Sequence, residues 1–257
     1  MKNLLVYLIS SLPTYVLFKF LNLFLISQGK GFSNPRKEAN LVIKFANENN
    51  IKLKKIFDIG AYHGDYTSEI LKKFPESNHY LFEPDETNFN IIKKKFSNYK
   101  KLRIFNIAIS DKNEESTLYS YGKGSLQGSL IDQDFSHLDL VNNVKQTVKV
   151  RRIDSLIEEL NLDGIDLCKI DIEGNEMKSF LGMGEKIKNI KIIQFEFGPA
   201  SIDSKTFFKD FYFFFSKLKF KLYQITPSRV QRINYYDISY ENFRVANFVA
   251  INDNKFS

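Results

Sequence analysis

Tryptophan is absent from this chain, cysteine occurs once and histidine three times among 257 residues. The single Cys168 closes no internal disulfide, and no CxxC or mixed Cys/His spacing suits zinc. His63, His79 and His137 are too scattered to suggest a metal cluster, so no metal is expected. Such sparse thiol usage makes a reducing cytoplasm the default compartment. Also missing is the Gly-x-Gly-x-x-Gly fingerprint of a dinucleotide-binding turn. No run of basic residues is interleaved with aromatics, as a single-stranded nucleic-acid groove requires. The formal charge of +7 is accordingly read as lysine spread over a solvated surface, with no nucleic-acid partner expected.

What the chain has in quantity is apolar surface. At 43% hydrophobic, with 25 phenylalanines, it can bury one large core. The opening MKNLLVYLISSLPTYVLFKFLNLFLIS is strongly apolar, but Pro13, Lys19 and Asn22 interrupt it, and a membrane span wants ~20 mostly apolar residues. No small-residue cleavage site follows, which disfavours a secretory signal. Three readings stay open: a helix docked on its own domain or on a second subunit, a peripheral membrane anchor through residues 1–30, or a true span. Residues 1–50 are thus expected to form an N-terminal helical segment serving docking, homodimerisation or membrane contact, ahead of a main domain over 51–257.

That domain alternates strand and helix. IFDIG at 56–60 is a short apolar strand stopped by glycine, and DYTSEILKKF has helical spacing. HYLFEP and TNFNIIKKKF repeat the pair, and LRIFNIAIS reads as a third strand. The rhythm breaks between Thr117 and Val150, where a Gly/Ser-rich loop lies between the strands STLYSY and QTVKVRRI; so long an excursion reads as a lid or binding loop. Helix 153–160, the strand KIIQFEF, the aromatic stripe FFKDFYFFFSKL and the strands LYQI and VANFVAI follow. The stripe reads as core packing, and the last strands as an antiparallel edge. The pattern predicts an α/β fold, a mostly parallel seven-stranded sheet with helices on both faces.

Ligands of such sheets sit at the carboxyl ends of the strands. Gly60 and Gly64 permit a sharp turn and close approach of backbone to ligand, and Glu83 closes the next strand, where a carboxylate can accept from both ribose hydroxyls. Asp58 would repel a pyrophosphate, so the better ligand has no phosphates and carries a cationic amino group. LCKIDIEGNEMKSFL, 167–181, adds Lys169, Asp171, Glu173 and Glu176 around one glycine. The two-residue strand period turns Lys169 and Asp171 to one face, where a core strand gives way to a helix. Its Asp-x-Glu-Gly spacing puts the glycine too early for an EF-hand.

The turn FDIGAYHG followed by Phe-Glu-Pro resembles the class I S-adenosylmethionine-dependent methyltransferases. KIDIEGNE closely resembles the Lys-Ile-Asp-x-Glu-Gly-x-Glu signature of the FkbM family of methyltransferases. The likeness runs from about Ile56 through Phe197, taking in NIAISDKNEESTLY, RRIDSLI and QFEFGPA, and leaves residues 1–50 uncovered. It departs at Tyr62-His63, where the family often has a small polar residue. The resemblance implies a Rossmann-like domain that binds S-adenosylmethionine and methylates hydroxyl oxygens of sugars and natural products. It implies Asp58, Gly60, Ala61, Tyr62, His63 and Gly64 at the methionine end, and Glu83 and Pro84 at the ribose. Ile107 and Ala108 then lie near adenine. Lys169, Asp171, Glu173 and Glu196 would line the acceptor side, with Glu176, Ser125 and Ser129 also binding the acceptor.

In-line displacement at a sulfonium needs alignment and a group to take the hydroxyl proton. Asp171 is expected to orient or deprotonate the acceptor, with Lys169 steadying the developing charge. His63 is the alternative base, since histidine titrates near neutrality. Recruitment of a divalent cation by Glu173 and Glu176 is a further alternative. The expected acceptor is a sugar of a capsule- or lipopolysaccharide-type glycan, or its nucleotide-sugar precursor, handled in the cytoplasm or at the inner face of the membrane. RNA ribose 2′-O-methylation and an NAD-dependent nucleotide-sugar oxidoreductase are the rival functions.

Overall fold

The computed structural model describes residues 13–134 and 144–253. His137 and part of the expected binding loop, like the first 12 residues, fall outside them. The described residues begin with two helices, α1 (Thr14–Ser27) and α2 (Pro35–Glu48). Alternating elements follow: β1 (Lys55–Ile59), α3 (Asp65–Lys73), β2 (Asn78–Phe82), α4 (Glu86–Lys95) and β3 (Leu102–Phe105). Next come β4 (Ala108–Ile109), β5 (Glu114–Ser120), β6 (Val144–Arg151), α5 (Ile153–Glu159), β7 (Ile165–Ile170) and α6 (Glu176–Leu181). The chain closes with β8 (Ile190–Phe197), α7 (Ala200–Asp203), α8 (Phe208–Lys217), β9 (Phe220–Ile225), β10 (Val230–Arg232) and β11 (Ala246–Asn252).

Eight strands form the main sheet in the order β10-β9-β11-β8-β7-β1-β2-β3. β1, β2, β3, β7 and β8 pair in parallel, while β11 runs antiparallel between β8 and β9. The class is the α/β one expected. The three-residue β10 gives the sheet one strand beyond the seven anticipated, and the closing strands do not form a direct hairpin, because β9 first turns back into β10.

LRIFNIAIS is not one strand. Asn106 donates from Nδ2 to the carbonyls of Glu83 (2.9 Å) and Pro84 (3.0 Å), which bends the chain out of the sheet after β3. β4 then joins β5 and β6 in a separate three-stranded sheet. STLYSY and QTVKVRRI pair antiparallel there, Thr117 opposite Thr147, so the Gly/Ser-rich excursion grows from a folded base.

Both faces of the main sheet are covered. On one, Ala39, Val42, Phe45 and Ala46 of α2 pack with Ile56, Ile192, Val249 and Ile251. Asn34 caps α2, its Oδ1 accepting from the N–H of Lys37 at 3.0 Å, with Pro35 at the first helical position. On the other face, Phe208, Phe211 and Phe215 of α8 are fully buried against Phe180, Phe195 and Phe197, so the aromatic stripe is core. The four-residue spacing from 211 to 215 puts those rings on one side of the helix, while Lys209, Asp210 and Lys217 stay outside.

Candidate active site

The carboxyl ends of β1, β2, β7 and β8 enclose a cavity of about 420 Å³. Its shape begins with Gly60. At φ +76° the residue takes a left-handed turn, and a Cβ there would stand 1.8 Å from the carbonyl oxygen of Asp171. Only glycine lets the two strand-end loops touch. The next turn places Tyr62 at φ +47° with its N–H on Glu83 Oε2, 2.8 Å, while the N–H of Asp85 meets Oε1 at 3.0 Å. Burial, only partly countered by these two donors, pushes the Glu83 carboxyl up to about 7.

Beneath the cavity floor a polar row crosses the sheet. Asp58, Lys169 and Gln194 are register neighbours on β1, β7 and β8. The Lys169 ammonium donates to Gly60 O at 3.1 Å and pairs with Asp171 at 3.3 Å and Asp58 at 3.6 Å, with the Tyr66 ring 5.9 Å away. Burial works against that charge, but Asp171 and Asp58 outweigh it and hold the ammonium above its ordinary range. Asp58 Oδ2 also accepts from the Thr67 hydroxyl at 2.6 Å. Burial pushes its own carboxyl upward, with Lys169 and Thr67 opposing. Neighbouring Cys168 faces the aromatic core, fully buried, its thiol pushed up by burial and by Asp58.

Above that row, Asp171, Glu173 and Glu196 bring one carboxyl oxygen each within 4.8 Å of one another. Burial, then the charge of Asp171, pushes Glu173 up to about 8 and Glu196 well above its ordinary value. Carboxyls pushed toward the protonated form can donate as well as accept, so beside the Lys169–Asp171 pair Glu173 and Glu196 form a surface suited to several hydroxyls at once. Glu173 sits at φ +54°, and its carbonyl accepts from Ser129 Oγ (2.8 Å) and Gln133 Nε2 (2.7 Å). Two donors from the excursion thus hold a backbone conformation that glutamate rarely adopts.

Of the residues singled out from sequence, Gly60, Ala61, Tyr62, His63, Glu83, Pro84, Ile107, Ala108, Ser125, Lys169, Asp171, Glu173 and Glu196 all line the cavity. Four do not. Asp58 lies under it, turned to Lys169 and Thr67. Gly64 begins α3, where a Cβ would stand 2.4 Å from the Phe96 ring. Ser129 is turned to the Glu173 carbonyl. Glu176 is buried with Oε1 accepting from the N–H groups of Ile172 (3.0 Å) and Gly174 (3.2 Å), so it shapes the loop instead of facing an acceptor. The Tyr62 and His63 rings stack at 3.8 Å on the cavity wall.

Sequence reading missed the contribution of α2. Ser33 and Pro35 line the cavity. Glu38 is buried, accepting from Asn34 N–H at 2.7 Å and from Gln194 Nε2 at 3.2 Å, while Gln194 Oε1 takes the Tyr66 hydroxyl at 2.7 Å. Burial raises Glu38 to about 7. Its signal was in the sequence: an acidic residue four before Val42 and seven before Phe45, on the apolar face of the helix.

S-adenosylmethionine fits what the chain provides. Each Glu83 oxygen keeps acceptor capacity for a ribose diol beyond the N–H it already holds. Ile107, Ala108, Leu118 and Leu126 give an apolar end for a base, next to the buried Asn88 Oδ1, which has no hydrogen-bond partner. At the opposite end the Asp171 carboxyl and the strand-end carbonyls can accept from a cationic amino group.

Two curated relatives and a solved structure resemble the chain. It is 30% identical over 157 residues to 2-O-methyltransferase NoeI of Sinorhizobium fredii (strain NBRC 101917 / NGR234), covering 57% of this chain and 64% of that protein. It is 26% identical over 161 residues to AMB antimetabolite synthetase AmbE of Pseudomonas aeruginosa, covering 51% of this chain and 8% of that protein. The chain thus spans less than two thirds of either relative. A putative caffeoyl-CoA O-methyltransferase from Staphylococcus aureus superposes with a TM-score of 0.47 at 12% identity, over 91% of this chain and 90% of that one. The methyltransferase FkbM domain matches residues 58–222, from the carboxylate under the cavity floor to the middle of β9, and on that match the chain belongs to the FkbM-domain methyltransferases.

Proposed function

We propose that the protein methylates a hydroxyl oxygen of a saccharide, with S-adenosylmethionine as donor, on a surface glycan or its nucleotide-linked precursor at the cytoplasmic side of the membrane. The observation that carries this reading is the Asp171–Glu173–Glu196 cluster, set over Lys169 in the same cavity as Glu83. Bound S-adenosylmethionine supplies an activated methyl group whose transfer leaves a neutral thioether.

The chain supplies the rest. Asp171 takes the acceptor's hydroxyl proton as its oxygen is alkylated, help worth ~10²–10⁴-fold. Lys169 is engaged with Gly60 O, Asp171 and Asp58, so it orients Asp171 and balances its charge without reaching the acceptor. Glu173 and Glu196, whose carboxyls burial pushes toward the protonated form, hydrogen-bond neighbouring hydroxyls and fix which one meets Asp171. The name of the first relative, a 2-O-methyltransferase, favours oxygen as the methylated atom.

Titration of the protein with S-adenosylhomocysteine and NAD in a calorimeter tests the donor. Micromolar binding of the thioether, weakened about tenfold or more in Glu83→Ala, and none of NAD are expected; silence with the thioether overturns the reading. Radiolabelled methyl transfer to sugars and nucleotide sugars, run beside RNA, tests the acceptor. Incorporation into RNA alone overturns the saccharide assignment.

A further inference from the structure

Helix α1 carries apolar side chains on every side, and most of them are exposed. None of its described residues is buried; Phe18, Phe20, Leu23 and Phe24 are each 58–66% exposed and Tyr15 is 73% exposed. Projected at 3.6 residues per turn, these rings and Leu21 and Ile26 leave no gap wider than about 60° around the axis. A helix apolar all round is stable when buried, in a protein core or among acyl chains. The charge of this end of the sequence has one sign. The first 37 residues hold Lys2, Lys19, Lys30, Arg36 and Lys37 and no acidic residue before Glu38.

The helix also has a fixed root. Gly29 follows it at φ +82°, where a Cβ would stand 2.2 Å from Ile225 O. Gly31 N–H donates to Val245 O at 2.7 Å, and Lys30 Nζ to Ser239 O at 2.7 Å. The loop that Lys30 grips exposes Tyr235 (70%) and Ile238 (74%), with Asp237 as its acidic residue. Six residues after the helix ends, Ser33 reaches the wall of the cavity.

We propose that α1 is a docking helix for an anionic phospholipid surface, its apolar side chains among the acyl chains, Lys19 reaching the headgroups, and the cavity-lining Ser33 and Pro35 close to the membrane. No helix among the described residues is long and apolar enough to cross a membrane. The inference rests on the fold and not on the saccharide reading, since its readout is lipid binding.

Flotation of the full-length protein with phosphatidylcholine vesicles, with and without added phosphatidylglycerol, tests it. The protein is expected to float with the anionic vesicles. Phe20→Ser/Phe24→Ser should weaken binding at least about tenfold, and Lys19→Gln/Lys37→Gln about fivefold per lysine, on anionic vesicles only. S-adenosylhomocysteine binding, measured alongside, stays unchanged in both, since neither pair lines the cavity or the core. The proposal fails if the wild-type protein stays unbound or if the phenylalanine pair floats undiminished. It also fails if light scattering finds a dimer that the phenylalanine pair dissolves while vesicles bind neither form; the helix then belongs to a second copy.

Discussion

The two faces of strand β8 differ as much as any two regions of the molecule. Phe195 and Phe197 point into an aromatic cluster, the Phe195 ring 5.0 Å from Phe211 and 5.3 Å from Phe215. Gln194 and Glu196 point the other way, to Glu38 and Tyr66 and to the carboxylates of the cavity. Helices α2 and α8 cover the two faces, and Glu196 stays half-buried at the cavity. Alternation of polar and apolar residues usually marks a strand with one wet face. In a strand flanked on both sides, as β8 is by β7 and β11, the same alternation marks a buried polar site instead. The aromatic face supplies stability and the polar face supplies chemistry.

The comparison can be broken from either side. On the polar side, Asp171→Asn is expected to lower kcat by ~10²–10⁴-fold while S-adenosylhomocysteine still binds; wild-type turnover would remove Asp171 as the base. On the aromatic side, Phe215→Ala should cost about 3–5 kcal/mol in urea unfolding while kcat per folded molecule holds. A loss of kcat that outlasts full folding would mean the two faces are coupled.

A finer test uses pH. Glu38, Glu83 and Glu176 stand at about 7 and Glu173 at about 8, against an ordinary 4.5. The fold therefore binds protons that the unfolded chain has released, and stability falls as pH rises through those values. His79, lowered to about 4 by burial from 6.5, acts oppositely below pH 6.5. Between pH 6.5 and 8 the melting temperature of the ligand-free protein should decline. Glu38→Gln should make the decline shallower, and an unchanged slope would show that Glu38 does not hold a proton there.

Much of this was legible in the residues. The strand–helix alternation and the places of the FDIG turn, Glu83 and the KIDIEG loop at strand ends were legible because each is local, set by period, by glycine or by adjacent charge. Failures came from contacts distant in sequence. Asn106 folds a seemingly continuous strand in two by reaching back to Glu83 and Pro84. β11 enters the sheet between two strands that precede it. Glu38 meets Gln194 across 156 residues, which no local pattern announces. Glu176 and Asp58 looked like ligand groups, but nearby backbone N–H groups and Lys169 already occupy them.

Cys168, silent in every step above, has a practical consequence. Maleimides react with thiolates they can reach, and this thiol is buried with its ionisation suppressed. The natural protein therefore gives an almost blank background for covalent labelling. A fluorophore attached through Leu23→Cys, on an exposed side chain of α1, would report on that helix alone, and its emission shift and quenching by brominated lipids would measure the depth at which the helix rests.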